Sequence, residues 1–212
     1  EEFEALHPTW ELAHRGDLLE ESVQALRTLF ENRVANWQGD YFQFKDVEMY
    51  PKPLQTPLPI YIGGNNPNAV RRAVAYAQGW MPAGMPPDLL QKHVNRAREL
   101  AAQQGRDFNE LEIAPQFIFC VDRTHEAAVR RFRQSQMYNH LVSLKQSTLK
   151  DQAGVSFVEA NLIGTASEVL EKVQRLQEVG VTHLAGTLFA VNELDELFEQ
   201  MHIFSEEIAP NL

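Results

Sequence analysis

Ile60-Tyr61-Ile62-Gly63-Gly64-Asn65-Asn66-Pro67-Asn68-Ala69 is the stretch on which the fold of this chain turns. Ile60-Tyr61-Ile62 combines β-branched and aromatic side chains, as a short strand does, and Gly63-Gly64 stops it. Two glycines at the C-terminal end of a strand let the backbone turn sharply and come close to a ligand. Asn66 is a good helix N-cap, and Pro67 is pre-shaped for the first helical position. The letters thus build a helix N-terminus at the end of a strand. There the N–H groups of Asn68 and Ala69 point outward, with the positive end of the helix dipole behind them. A phosphate monoester fits such a place. A plain strand-to-helix turn that caps its helix and binds nothing fits the same letters, and the residues alone leave both readings open.

Downstream, Val70, Ala73, Val74 and Ala77 mark one face of a helix from Pro67. Gly79-Trp80-Met81-Pro82 reads as a short buried strand. Leu89 to Gln104 reads as a helix ended by Gly105, Ile113 to Val121 as a strand, and Thr124 to about Tyr138 as a helix. Asn139 to Ala160 is ambiguous and helical in part. Thr165-Ala166-Ser167-Glu168 is a capping box that opens a helix faced by Val169, Val173 and Leu176 and stopped by Gly180. Thr182 to Phe189 reads as a strand, and Leu194, Leu197, Phe198, Met201 and Phe204 mark a last amphipathic helix. Upstream, Leu19, Val23, Leu26 and Phe30 mark a helix from Leu18 to about Arg33. Trp37 to Phe44 reads as an extended hairpin around Gly39-Asp40. Pro51, Pro53, Pro57 and Pro59 keep the next stretch non-helical. The strand–helix alternation argues for parallel strands with crossover helices, because parallel neighbours need a long connection. Four such strands make half of an eight-stranded barrel or a small doubly wound sheet; the pattern does not choose between them.

The bulk numbers narrow the function classes. At 212 residues, 44% hydrophobic and 23% charged, the chain is long enough for one globular domain, residues 1–212. It has neither an apolar run near the roughly 20 residues of a membrane span nor a charged-then-apolar leader. The single cysteine, Cys120, excludes an internal disulfide and points to the cytoplasm. Cys120 lies within Phe117-Ile118-Phe119-Cys120-Val121 and reads as a buried strand residue, not a catalytic thiol. A net charge of -10 repels phosphate backbones, so nucleic acid is not an expected partner. The chain opens Glu1-Glu2-Phe3 with no initiator methionine, which reads as a fragment or a chain whose front was removed. The seven histidines, His7, His14 and His183 among them, show no metal-ligand spacing. Glu20-Glu21 and Glu206-Glu207 are helix neighbours that do not face each other, and read as solvated. Arg130, Arg131 and Arg133 read as the exposed side of a helix. No nucleophile elbow, P-loop or zinc motif is present. The Thr165 helix start is a second candidate anion site, but its capping box uses two of the N–H groups an anion would need.

A wider pattern surrounds the Gly-Gly turn. Pro51-Lys52-Pro53-Leu54-Gln55 is followed by Pro57-Leu58-Pro59-Ile60-Tyr61-Ile62-Gly63-Gly64, then Ala69 to Ala73, then Gly79-Trp80. Gly39-Asp40-Tyr41-Phe42-Gln43-Phe44 precedes these, and Gly164-Thr165 to Val169 with Gly180-Val181 follows. Together these resemble the luciferase-like monooxygenase family over nearly the whole chain. The resemblance implies a (β/α)8 TIM-barrel fold of which this chain holds the C-terminal half, strands five to eight, at Ile60–Gly64, Gly79–Pro82, Ile113–Val121 and Thr182–Phe189. It implies a flavin-dependent oxidoreductase or monooxygenase using FMN or the deazaflavin coenzyme F-420 on a small organic substrate, commonly as a homodimer. By position, Gly63, Gly64, Asn65, Asn66 and Asn68 would contact the cofactor phosphate, with Gly79 and Trp80 near the cofactor tail. Gln78 departs from the family, which usually carries Asp there. The resemblance implies that strands one to four supply much of the isoalloxazine site and many of the reactive side chains, so no catalytic residue is assigned. Two rivals remain: a non-catalytic flavin-binding or oligomerising half-barrel, and some other phosphate-binding α/β enzyme.

Overall fold

The computed structural model describes residues 5, 13–144 and 154–212. His7 and the opening Glu1-Glu2-Phe3 lie outside the described residues, as do residues 145–153 of the ambiguous stretch. Contacts divide the chain into two units, Glu1–Ile60 with Tyr76–Gln78, and Tyr61–Ala75 with Gly79–Leu212.

In the first unit, helix α1 (Arg15–Glu31) precedes an antiparallel hairpin of β1 (Ala35–Gln38) and β2 (Gln43–Val47). The helix and hairpin arise where the sequence places them, but the buried face of α1 is rotated. Leu18, Val23 and Ala25 are buried, whereas Leu19 and Leu26 are exposed. The reason is that small Ala25 shares the inward face with Leu18, at the i, i+7 spacing that a count of large side chains overlooks. Lys52, within the proline-rich run, donates to the carbonyls of Leu29 and Asn32 at 2.5 and 2.6 Å. A cation thus sits on the open carbonyls at the end of α1. Gln78 accepts through Oε1 from Arg27 at 2.7 Å and from the Ile60 N–H at 3.1 Å. An amide oxygen here receives the two donors that a carboxylate would.

Glu21 is not the solvated residue its sequence neighbourhood implies. Its carboxylate accepts from the backbone N–H groups of Asp40, Tyr41 and Phe42 and from the Trp37 indole, at 2.7–3.2 Å. A Cβ on Gly39 would lie 2.1 Å from the carboxylate, so this glycine makes the approach possible. Partial burial pushes the Glu21 carboxyl up, but the Phe42 and Tyr41 N–H groups outweigh it and hold the value below the ordinary 4.5. A carboxyl whose folded value is depressed adds stability that is present above its unfolded value and lost as pH falls through its folded value. Glu21→Gln is therefore expected to lower stability by about 1 kcal/mol at neutral pH, a hydrogen-bond figure already reduced for partial solvent exposure. Urea unfolding of both proteins across the acid range is the check. The gap between them should close below pH 4.5; a pH-independent gap would assign the effect to packing instead.

The second unit alternates strand and helix. Strand β3 (Tyr61–Gly63) leads to α2 (Pro67–Tyr76), then β4 (Gly79–Met81) and α3 (Pro87–Gln103). Next come β5 (Glu112–Ile113), β6 (Gln116–Val121), α4 (His125–Gln134) and α5 (Gln136–Leu144). The chain continues through α6 (Phe157–Ala160), β7 (Leu162–Gly164), α7 (Ala166–Val179), β8 (Gly186–Phe189) and α8 (Leu194–Ile203). All strands of this unit are parallel, in the orders β3-β4-β5 and β7-β6-β8, with a bridge from Ala83 to Gln116. The array does not close into a barrel among the described residues.

Several boundaries differ from the sequence reading. The strand expected over Ile113–Val121 is interrupted at Ala114-Pro115. Ala114 and Gln116 still donate to Trp80 and Pro82 carbonyls at 2.9 Å. Pro115 has no N–H to give the neighbour on its other side, so the second ladder starts only at Gln116. The last strand correspondingly begins at Gly186 rather than Thr182, opposite Gln116. β7 is an added strand of three residues, too short to show a period. The helix expected over Thr124–Tyr138 divides at Ser135, whose backbone is extended and whose hydroxyl accepts from the Tyr138 N–H at 3.1 Å. On α8, Leu194, Phe198 and Met201 face solvent, while Gln200 is fully buried.

β6 carries the core. Phe117, Ile118, Phe119, Cys120 and Val121 are all buried: Ile118 and Cys120 pack with Ala128 and Phe132 of α4, and Phe119 packs edge-on against Phe189 and Phe204. Gln200 reaches from α8 to bond both backbone groups of Val121, at 2.8 and 2.9 Å. This satisfies β6 where the parallel ladder ends.

Candidate functional site

The Gly-Gly turn forms as its letters require. Gly63 and Gly64 are exposed at the C-terminal end of β3, the end that carries active sites in parallel α/β folds. Gly64 has φ +116°, and a Cβ there would lie 3.0 Å from the Ala69 Cβ. A side chain is thus excluded by both conformation and space. At Gly63 an added Cβ would meet the Met81 carbonyl at 3.6 Å, an ordinary contact, so its glycine is not demanded by packing.

The three asparagines do different work. Asn66 caps α2: its Oδ1 accepts from the Ala69 N–H at 2.9 Å, and its carbonyl accepts from the same group at 3.0 Å. The Ala69 N–H, which the sequence leaves open for a ligand, is therefore consumed by the cap. The Asn68 N–H has no partner among the described residues and remains at the exposed helix start. Asn65 ties this turn to the loop after β4. Its Nδ2 donates to the Ala83 carbonyl at 3.2 Å, and its Oδ1 accepts from the Ala83 N–H at 2.8 Å. The Asn65 side chain is engaged by protein, which leaves its backbone facing the turn.

Gly79 and Trp80 support this arrangement from below. A Cβ on Gly79 would lie 2.1 Å from the Tyr61 ring, so the absence of a side chain gives that ring its place. Trp80 is fully buried, packs edge-on to His93 at 5.7 Å and donates through Nε1 to the Gly64 carbonyl at 2.8 Å. The indole thus holds the glycine that shapes the turn.

An apolar cavity of about 190 Å³ adjoins the site. Ala83 and Gly84 form one wall, and Gln116, Leu141, Phe157 and Leu188 contribute to the others. Ala83 is both the partner of Asn65 and part of this wall, which connects turn and cavity through one residue. Nothing in the order of residues announces this cavity. Its described walls come from five separate segments, none of which carries a motif.

The remaining sequence candidates have structural roles. Thr165 forms its capping box: its hydroxyl accepts from the Glu168 N–H at 3.3 Å, and Glu168 accepts from the Thr165 N–H at 2.7 Å. The polar cavity beside it includes Asp122, Glu199 and Glu207 against Arg123, an unfavourable balance for a phosphate. Burial pushes the Cys120 thiol up to about 11, so it stays protonated and unreactive. Arg131 is not on an exposed face; it is half-buried and pairs with Glu199 at 2.6 Å. His14 pairs with Asp17 at 3.1 Å, and His183 lies 3.6 Å from Glu112. Among the described residues no group of three or more His, Cys, Asp or Glu side chains could hold a metal. No helix among them is long and apolar enough to cross a membrane.

With this geometry in hand, comparison with known proteins fixes the class. A profile of the luciferase-like monooxygenase family matches residues 2–183, and the chain belongs to that family. An F420-dependent glucose-6-phosphate dehydrogenase of Tsukamurella paurometabola is 26% identical over 82% of this chain and 55% of its own length. The pyrimidine monooxygenase RutA of Allorhizobium ampelinum is 26% identical over 87% of this chain and 50% of its own. Among solved structures, an F420-dependent secondary alcohol dehydrogenase bound to an F420-acetone adduct superposes with a TM-score of 0.74. It is 24% identical over 93% of this chain and 62% of its own, a likeness that shows the TIM-barrel fold. The chain spans about half the length of the curated relatives it matches.

Proposed function

We propose that this chain, residues 1–212 read as one domain, is the cofactor-phosphate half of a flavin-dependent oxidoreductase that uses FMN or the deazaflavin coenzyme F-420 on a small organic substrate. The observation that carries this reading is the exposed turn at Gly63-Gly64. Its left-handed Gly64 excludes a side chain, and the Asn68 N–H stands open at the start of α2. A phosphate there would be held by the backbone of Gly63, Gly64, Asn65 and Asn66, by the Asn68 N–H, and by the positive end of the helix. Gly79 and Trp80 serve as supports to this cradle, not as contacts. The cofactor supplies the redox chemistry, and the residues of this chain fix and orient it.

The test compares FMN with riboflavin, which lacks the phosphate, by following flavin fluorescence during titration, with F-420 titrated in parallel. FMN is expected to bind at least about tenfold more tightly than riboflavin, equivalent to about 1.4 kcal/mol of phosphate recognition. No saturable binding of FMN or F-420, or equal affinity for FMN and riboflavin with no binding of F-420, overturns the assignment.

A second reading, self-association into a homodimer, is favoured by one observation. Leu194, Phe198 and Met201 form an exposed apolar stripe along α8, and β8 is an edge strand among the described residues. Sedimentation at several concentrations would separate a monomer from a dimer, and Phe198→Glu should dissociate a dimer that uses this stripe.

A further inference from the structure

The apolar cavity beside the turn has a chemical character of its own. None of its described lining residues is Lys, Arg, Asp or Glu, and His140 is the one titratable side chain among them. Asn161, one of its polar residues, is already engaged. Its Oδ1 accepts from the Ile118 N–H at 2.9 Å, and its Nδ2 donates to the Phe157 carbonyl at 2.9 Å. Gln116 is different. Its Nε2 makes only a long contact of 3.6 Å to the Met81 sulfur, and its Oε1 has no partner among the described residues. Two glycines shape the space. A Cβ on Gly186 would press on the Gln116 side chain at 3.3 Å, and one on Gly84 would lie 2.5 Å from Asn161 Oδ1. The first leaves the Gln116 amide room to lie across β8. The second lets the loop after β4 close against Ala160-Asn161.

We propose that this cavity is the substrate pocket and that it takes a neutral organic molecule of one ring or a short chain, with one hydroxyl or carbonyl directed at Gln116. The proposal rests on the reading of the chain as part of an oxidoreductase. A volume of about 190 Å³ is of the order of an apolar cavity of about 150 Å³ that accepts benzene. A phosphate or carboxylate placed there would lose its hydration and find no cation among the described lining residues, which is costly. A neutral ring would instead replace water on Leu141, Phe157 and Leu188, at no electrostatic penalty. The one open amide fixes orientation, as a few polar groups do in mostly apolar ligand sites.

p-Cresol, one ring with one hydroxyl, is the probe, and glucose 6-phosphate is its anionic counterpart. Each is titrated into the chain without cofactor, and the methyl resonances of 13C-labelled methionine are followed, with Met137 in the cavity wall as reporter. Saturable binding of p-cresol that shifts Met137 is expected, with no such shift from glucose 6-phosphate. Leu141→Trp, which fills the cavity, should weaken p-cresol binding at least about tenfold. Leu141→Ala, which widens it without risk to the fold from overpacking, should extend binding to 2-naphthol. Failure of p-cresol to bind, glucose 6-phosphate binding as tightly at Met137, or indifference to both Leu141 variants would each overturn the proposal. The cofactor titration is read independently. FMN binding without p-cresol binding removes this pocket alone, and p-cresol binding without FMN or F-420 binding removes the cofactor assignment alone.

Discussion

Gly64→Val is expected to abolish the preference for FMN over riboflavin. The variant meets two obstacles at once. Valine at φ +116° occupies a conformation that L residues rarely adopt and β-branched residues avoid most, at a cost on the order of 1–3 kcal/mol. Its Cβ would also meet the Ala69 Cβ at 3.0 Å, so the first turn of α2 must shift. Relief of either obstacle rotates the Gly63–Gly64 peptide and moves the Asn68 N–H away from the position in which it can receive an anion. The loss should therefore exceed what strain alone would give, and FMN should bind no better than riboflavin. Gly64→Ala in an Ala69→Gly background separates the causes, because it keeps the backbone strain and removes the Cβ contact. Partial recovery of FMN affinity in that double variant is expected. If Gly64→Val keeps the wild-type preference for FMN, the phosphate is held elsewhere and the turn is only a turn.

The sequence exposed this turn because its physics is local. A strand, two glycines, an N-cap asparagine and a proline stand in consecutive positions, and each acts on its immediate neighbours. The Thr165 capping box and the Gly180 stop were legible for the same reason, and the structure shows both, Gly180 at φ +108°. What escaped was every interaction between distant segments. The carboxylate of Glu21 reaches a hairpin turn some twenty residues away, and nothing in the pair Glu20-Glu21 announces it. Asn65 looks like a ligand residue by position, yet its amide is taken up by Ala83. Periodicity misled on α1 and α8, where a count of large apolar side chains chose Leu26, Leu194 and Phe198, while the inward positions went to Ala25 and Gln200. Gln200 is the clearest case. A glutamine reads as a surface residue, but the end of β6 leaves the N–H and C=O of Val121 without a ladder, and an amide supplies both partners. The family resemblance supplied the strand order that the pattern could not choose, since half a barrel and a small open sheet share one alternation.

Trp80→Ala should be the most damaging substitution in the second unit, and Trp80→Phe shows why the residue matters to the site. The Trp80 side chain is fully buried. Its removal creates a large cavity, with a cost of roughly 3–5 kcal/mol. That is a large fraction of the roughly 5–15 kcal/mol that holds a typical domain folded. The alanine variant is therefore expected to unfold at much lower urea, with its far-ultraviolet signal lost near physiological temperature. Phenylalanine keeps much of the ring and removes only the Nε1 donor to the Gly64 carbonyl. Gly64 is exposed, so water can replace that donor, and the loss of stability should be about 1 kcal/mol. The effect on FMN should be larger than the effect on folding, because the lost bond holds the residue on which the phosphate cradle depends. His93 supplies an internal reporter. Burial holds its imidazole below the ordinary 6.5, and it packs against the Trp80 ring. Its titration, followed by proton NMR, should stay depressed in Trp80→Phe, where the ring still excludes water. A phenylalanine variant with a depressed His93 but weakened FMN binding would place the role of Trp80 in the turn. Unchanged FMN binding in that variant would reduce Trp80 to a core residue, and the turn would then have to hold its shape through Asn65 and Asn66 alone.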